Sequence, residues 1–253
     1  MAIQKTEAIV LKTQPLRTSS LIVTFFSRSF GKLKGVAKGV RLERELRGGI
    51  YELFTRLEIV YYEKTRSDLH LLSEADIVDS YDPLRSRLES ICYAGYFSEL
   101  VDELCEVHDP HEKIFDLLDF CYRYLSSLPG PRVARLFEIK LLNEIGWLPF
   151  LDACLMCGEK KLEQGFFSAM QGALLCSRCH DRHQDARPIA AAPLALMRYY
   201  IHHSLEESLR QATSRQTDDA LEDLMNRFFT QRLHRPLKTR QFIDKIAPVL
   251  SES

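Results

Sequence analysis

This chain lacks the strings on which most nucleotide-dependent and metal-dependent enzymes are built. It has no G-x-x-x-x-G-K-[ST] loop to cradle phosphates, no G-x-G-x-x-G after a strand-like run, and no H-E-x-x-H or H-x-E string. Long apolar runs are missing too. The most apolar stretch, Ile189 to Met197, is short and broken by Pro193, so no segment is expected to span a bilayer. The opening Met1-Ala2-Ile3-Gln4-Lys5-Thr6-Glu7 has no apolar signal core and meets an acidic residue early, which reads as a cytoplasmic protein. Internal repeats and low-complexity tracts are absent. These absences direct attention to binding rather than turnover.

Cysteine, by contrast, is patterned. Cys154-Leu-Met-Cys157 and Cys176-Ser-Arg-Cys179 are two C-x-x-C pairs separated by eighteen residues. Thiolates two residues apart converge on one metal from a tight turn, and two such turns close a tetrahedral S₄ shell. Four protein ligands leave no place for water or substrate, so the expected cofactor is one structural Zn²⁺ on Cys154, Cys157, Cys176 and Cys179. His180 and His183 are alternative donors nearby. Cys176-x-x-Cys179-His180 also matches the haem-attachment string, but that needs export and leaves Cys154 and Cys157 unexplained. A redox pair would want a thioredoxin-like βαβ setting, which is not seen. Cys92, Cys105 and Cys121 sit at apolar positions of helix-like segments and read as small core residues.

The net charge of −1 conceals an asymmetry. Residues 1–80 carry thirteen Lys/Arg against ten Asp/Glu, a balance of +3; the remainder holds twenty-one against twenty-five. The excess concentrates in Arg28, Lys32, Lys34, Lys38, Arg41, Arg44 and Arg47, opposed by Glu43 and Glu45. Such a local excess is the footprint of nucleic-acid binding when the whole-chain balance is neutral, although a charged stretch is also an ordinary solvated face. Glu7–Lys12, Ser20–Phe26, Gly31–Val40, Tyr51–Tyr62 and Leu69–Val78 are strand-like runs, rich in β-branched and aromatic residues. In the third, Lys32, Lys34 and Lys38 are expected on one face. Five strands with a bent, glycine-containing third suit a small closed barrel of the OB type. Such barrels hold single strands on a basic groove with aromatic platforms. The candidate DNA contacts are Lys32, Lys34, Lys38, Arg41 and Arg44, with Phe30 and Tyr51 for stacking.

From Pro83 the apolar period lengthens to that of a helix. Leu88, Ile91, Cys92, Tyr96 and Leu100 form one face, and Ile114, Leu117, Leu118, Cys121, Tyr122 and Leu125 a second. Val133, Leu136, Phe137, Lys140, Leu141 and Ile145 form a third, ended at Gly146. Asp109, His111 and Glu112 cluster at a helix start, where capping and dipole neutralisation explain them. Phe166 to Leu175 reads as a hairpin delivering the second cysteine pair to the first. Helical pattern resumes over Pro193–Ser204 and Thr217–Leu233. The expected fold is an α+β, multi-domain chain. An OB-type barrel over 1–80 precedes a helical domain over 81–150 and 185–253, interrupted by a Cys₄ zinc insertion over 151–184.

This order of parts resembles the RecO family of bacterial recombination mediators. The resemblance is carried by Glu7-Ala8-Ile9-Val10-Leu11, Ser20-Leu21-Ile22-Val23, Phe30-Gly31-Lys32-Leu33 and Val36-Ala37-Lys38-Gly39-Val40. It continues in Cys154-x-x-Cys157-Gly158, Gly172 before Cys176, and Leu233-His234-Arg235-Pro236-Leu237-Lys238-Thr239-Arg240. It implies a non-enzymatic, nucleoid-associated DNA-binding protein of recombinational repair. Such a protein binds single- and double-stranded DNA, anneals complementary strands and assists recombinase loading on protein-coated strands. The partners it implies are RecR, often RecF, and the acidic C-terminal tail of single-stranded-DNA-binding protein. For that tail, Arg132, Arg135, Lys140, Lys238 and Arg240 are the candidate cationic rim. A zinc-ribbon RNA-binding or transcription-associated adaptor is the alternative reading.

Overall fold

Along the N-terminal region, inward apolar side chains alternate with outward ones on five strands that close into a barrel. The computed structural model describes residues 2–40, 49–64, 67–162 and 164–250. β1 (Ile3–Leu16), β2 (Ser20–Ser27), β3 (Gly31–Ala37), β4 (Arg56–Tyr62) and β5 (Leu69–Asp79) pair in the closed order β1-β2-β3-β5-β4. Neighbours are antiparallel except β3 and β5, which run parallel from Lys34↔Leu69 to Val36↔Leu71. A register shift between Val10 and Lys12 bends β1, so that one long strand pairs with both β2 and β4. The barrel core gathers Ala8, Val10, Val23, Phe25, Leu33, Leu57 and Ile59, all fully buried. Each large side chain among them contributes about 1.5–3 kcal/mol over the exposed state.

The fourth strand starts later than the sequence pattern suggests. Phe54 adopts a left-handed φ of 73°, which breaks extended backbone, and its N–H donates instead to the Val10 carbonyl at 2.8 Å.

The chain divides into two compact units, residues 1–128 with 237–253, and residues 129–236. In the first unit the barrel is accompanied by α1 (Asp82–Arg85), α2 (Leu88–Leu104), α3 (Glu112–Tyr124) and α8 (Lys238–Leu250). On α2 the buried face is Cys92, Tyr93, Tyr96, Phe97, Leu100 and Val101; Leu88 and Ile91, expected to be buried, are exposed. On α3 the buried set matches the sequence period. Its start is not side-chain capped, contrary to expectation. Asp109 accepts from His111 at 2.9 Å, and Glu112 pairs with Arg28 at 2.8 Å. Helix α8 was not legible as a helix in the sequence. Its N-terminus is capped by Glu99 of α2, which accepts from the Lys238 and Thr239 N–H groups at 3.0 and 2.8 Å.

The second unit contains α4 (Gly130–Glu144), α5 (Ala191–His202), α6 (Leu205–Arg210) and α7 (Arg215–Arg232). A three-stranded sheet, β6 (Gly165–Ser168), β7 (Ala173–Cys176) and β8 (Arg187–Ile189), pairs in the order β7-β6-β8. The expected hairpin is therefore present. Its turn is tied by Asp185, which accepts from the Ser168 hydroxyl and the Met170 N–H at 2.9 Å. Among the described residues no helix is long and apolar enough to cross a membrane.

Candidate nucleic-acid interface and metal centre

The outward face of the barrel sorts the basic residues into two groups. Strand pairing aligns Lys12 with Thr24, and Thr24 with Lys34, so the two lysines flank one threonine across three strands. With strands about 4.8 Å apart, their Cα atoms lie about 10 Å from each other. Both side chains are exposed, as is Lys38 just beyond β3. None of the three has an ion-pair or hydrogen-bond partner among the described residues. Lys12 escaped the sequence reading because it lies twenty-two positions before Lys34; only the strand register makes them neighbours.

Lys32 does not belong to this surface. It shares an outward face with Lys34, but α2 covers that end of β3. Lys32 is 8 % exposed, its ammonium lies 3.5 Å from the Asp102 carboxylate, and it also donates to the Asp102 carbonyl. Arg28 is similarly engaged, with Glu112 at 2.8 Å, Asp116 at 2.9 Å and its guanidinium over the Phe115 ring at 4.4 Å. Part of the basic excess therefore ties barrel to helices. Arg41 and Arg44 lie outside the described residues. Tyr51 is buried at 7 % exposure, edge-on to Phe25 at 6.4 Å, so its ring is not an open platform. Phe30 is half-buried, edge-on to Tyr61 at 6.0 Å.

The four paired cysteines do converge. The sulfur atoms of Cys154, Cys157, Cys176 and Cys179 all lie within 4.8 Å of one another and could hold one metal ion. Cys157 and Cys176 Sγ are 3.7 Å apart, and all four cysteines are free. The first turn is closed by the Gly158 N–H donating to the Cys154 carbonyl at 2.9 Å, the second by Cys179 N–H to Cys176 carbonyl at 3.1 Å. Burial works against ionisation of Cys154, but the backbone amides of Cys157, Cys176 and Met156 prevail and bring its thiol to about 6. Cys179, which shares a proton first with Cys176, is pushed up to about 12. Neither nearby histidine joins the sulfur cluster: His180 stacks on Phe166 at 3.6 Å and lies 3.1 Å from Asp181, and His183 is not among its members.

The cations expected at a partner rim have other contacts. Arg135 is 1 % exposed and pairs with Glu138 at 2.6 Å within α4, so it cannot line a surface. Arg132 donates to the Leu209 and Gln211 carbonyls at the end of α6, and Lys140 donates to the His203 carbonyl at 2.5 Å. Burial lowers the Lys140 ammonium from its ordinary range. Arg240 pairs with Asp244 at 3.0 Å, whereas the Lys238 side chain is exposed. The carbonyl ends of α5 and α6 thus claim two of the cations on α4.

Comparison with known proteins gives concordant matches along the chain. The model of the recombination protein O N terminal matches residues 1–81, and that of the recombination protein O C terminal matches residues 85–241. The DNA repair protein RecO of Anaeromyxobacter dehalogenans (strain 2CP-C) is 33 % identical over 251 residues, covering 97 % of this chain and 98 % of its own. That of Syntrophus aciditrophicus (strain SB) is 30 % identical over 250 residues, covering 97 % and 96 %. That of Acetivibrio thermocellus is 25 % identical over 241 residues, covering 94 % and 95 %. The two family models together cover nearly the whole chain, and the chain belongs to the recombination protein O family.

Proposed function

We propose that this protein is a DNA-binding mediator of recombinational repair. In this reading it binds single- and double-stranded DNA, anneals complementary strands and assists recombinase loading on protein-coated strands. The observation that carries the reading is the row Lys12–Thr24–Lys34, with Lys38 beyond it, on the open face of a small barrel. Exposed ammonium groups on long flexible stems, with no partner among the described residues, can each reach a backbone phosphate of a bound strand, and such contacts supply most of the affinity in sequence-independent binding. Holding two strands on one basic surface lowers their mutual repulsion and raises their encounter rate. That route needs no nucleotide, and we assign the protein no catalytic step. RecR, the acidic tail of single-stranded-DNA-binding protein and RecF are the proposed protein partners. Of the expected tail contacts, only the Lys238 side chain remains exposed and without a side-chain pairing among the described residues.

The cysteine centre fits Zn²⁺. With Zn–S near 2.3 Å, the edge of a tetrahedral S₄ shell is about 3.8 Å, close to the 3.7 Å between Cys157 and Cys176. Zinc would supply charge compensation for thiolates and a covalent tie between the two turns. Cys154 and Cys157 would hold it from the loop after α4, and Cys176 and Cys179 from the end of β7. The exposed Lys160, Lys161, Arg178 and Arg182 offset the remaining negative charge.

Annealing of complementary oligonucleotides, bare and coated by single-stranded-DNA-binding protein, tests the function. Nucleotide-free acceleration of both is expected. Annealing that required ATP, or no acceleration at all, would contradict the reading.

A further inference from the structure

Between the β2–β3 turn, the start of β5 and the segment after α2 lies a cavity of about 440 Å³. Its walls include Phe30, Glu63, Lys64, Asp68, His70 and His108. Mouths of barrels are recurrent ligand sites, and this one is built of positioned parts. His70 packs on Tyr61 with centroids 5.0 Å apart, and His108 stands edge-on to His70 at 5.5 Å. The His108 N–H donates to the Lys32 carbonyl at 3.0 Å. Its backbone holds a φ of 61°, a conformation that a non-glycine residue adopts when its surroundings impose it.

The chemistry of the cavity follows from one histidine. His70 is 2 % exposed, and its Nδ1 accepts the Lys64 N–H at 3.3 Å. Burial first, and then the neighbouring His108, lower its pKa and keep the ring neutral. A neutral imidazole that accepts at Nδ1 carries its proton on Nε2. That Nε2–H has no partner among the described residues. A buried donor left unmade is costly, so the cavity asks for an acceptor. The same tautomer rules out metal ligation through Nε2, whose lone pair is held by the proton. The Glu63 and Asp68 carboxylates repel an anionic acceptor and themselves accept N–H groups. Glu63 already takes Gln4 Nε2 at 3.2 Å on one oxygen and has the other to offer. The fitting ligand is therefore neutral and flat, with one acceptor beside two N–H groups. Guanine has that edge, O6 followed by N1–H and N2–H₂. Thymine offers a single N–H, and adenine and cytosine present one amino group beside ring acceptors.

We propose that this cavity takes one unstacked guanine of a bound single strand. O6 accepts from His70 Nε2–H, N1–H and N2–H₂ face the Asp68 and Glu63 carboxylates, and the ring lies between Phe30 and His108. Entry turns the half-exposed His108 side chain from the edge of His70, and Lys64 meets the adjoining phosphate. The proposal rests on the barrel's being a single-strand binder and names a base that it selects.

Fluorescence anisotropy with the full chain tests it, using an all-dA strand of about fifteen nucleotides and the same strand with one central dG or inosine. A well-placed base contact predicts about tenfold tighter binding of the dG strand, with inosine, which lacks the 2-amino group, in between. Asp68→Asn, at a side chain 82 % exposed, should remove most of that preference while leaving all-dA affinity within about twofold. His70→Phe should do the same by deleting the Nε2–H. Equal affinity for dG and dA strands in the unaltered protein, or a preference that survives Asp68→Asn, overturns the pocket and leaves the barrel reading intact. Failure to bind either strand overturns the barrel reading and the pocket with it.

Discussion

Lys12, Lys34 and Lys32 occupy the outer face of one barrel, yet their removal should have opposite consequences. Changing Lys12 and Lys34 together to Gln deletes two ammonium groups that have no partner among the described residues, so the fold should be unaffected. Each single-strand phosphate contact contributes about 0.7 to the slope of log affinity against log salt, so the double variant should lose about 1.4 of that slope. Between 50 and 200 mM salt, the unaltered protein should then lose about sevenfold more affinity than the variant does. Arg41 and Arg44 do not enter this difference, whatever they contribute, because both proteins contain them. Lys32→Gln is the contrasting perturbation. It leaves Asp102, about one-fifth exposed, without its cation, which should cost about 2–4 kcal/mol of stability. In the fraction that remains folded, the salt slope should be unchanged. Salt-titrated anisotropy with a poly-dT oligonucleotide, paired with thermal melts, reads both quantities. The reasoning is refuted if Lys32→Gln flattens the slope while the Lys12/Lys34 double variant retains it.

Three further outcomes follow from the geometry. Stripping metal with a strong chelator, or Cys176→Ser, should unfold β6 and β7 locally, since a Cys₄ site carries about 10–16 kcal/mol of apparent binding energy; hydrogen exchange should show lost protection at 165–176 while the barrel stays protected, and elemental analysis should find one zinc per chain beforehand. Gly31→Ala should cost about 2–4 kcal/mol, because its φ of 64° disfavours a side chain and a Cβ there would sit 2.0 Å from the Asp109 carbonyl oxygen; a denaturant midpoint equal to that of the unaltered protein would show that this segment yields freely. Burial opposes ionisation of Asp119, but hydrogen bonds from Arg123 and Tyr81 and the charge of Arg56 hold its carboxyl below the usual range; its stabilisation is thus present above an unfolded pKa of about 4 and lost as pH falls through the lower folded value, so Asp119→Asn should cost about 2 kcal/mol at neutral pH and flatten the acid limb of stability.

Local chemistry carried much of the sequence reading. Two C-x-x-C pairs need only short-range turn geometry and one hairpin to converge, so Cys154, Cys157, Cys176 and Cys179 are identifiable from sequence alone. The alternation at Leu57, Ile59 and Tyr61 is likewise a local signal that the strand obeys. Where neighbours decide, the same signals held in part: Cys92, Tyr96 and Leu100 are buried as the helical period predicts. Leu88 and Ile91 fit a helical period, but the face of α2 that packs is the one rotated toward Tyr93 and Phe97.

The sequence by itself determined the element types of the barrel, the convergent cysteines and a basic excess near β3, because each depends on residues close along the chain. Tertiary structure decided which cations remain open. Lys32 and Lys34 are equivalent by alternation, yet α2 brings Asp102 to the first and leaves the second to solvent. Register across three strands made Lys12 the neighbour of Lys34. Folding also joined the C-terminal helix to the first unit, since its exposed N–H groups are satisfied by Glu99, a carboxylate 139 positions before Lys238. Partners at such separations leave no periodic trace in sequence, and only the packed chain reveals them.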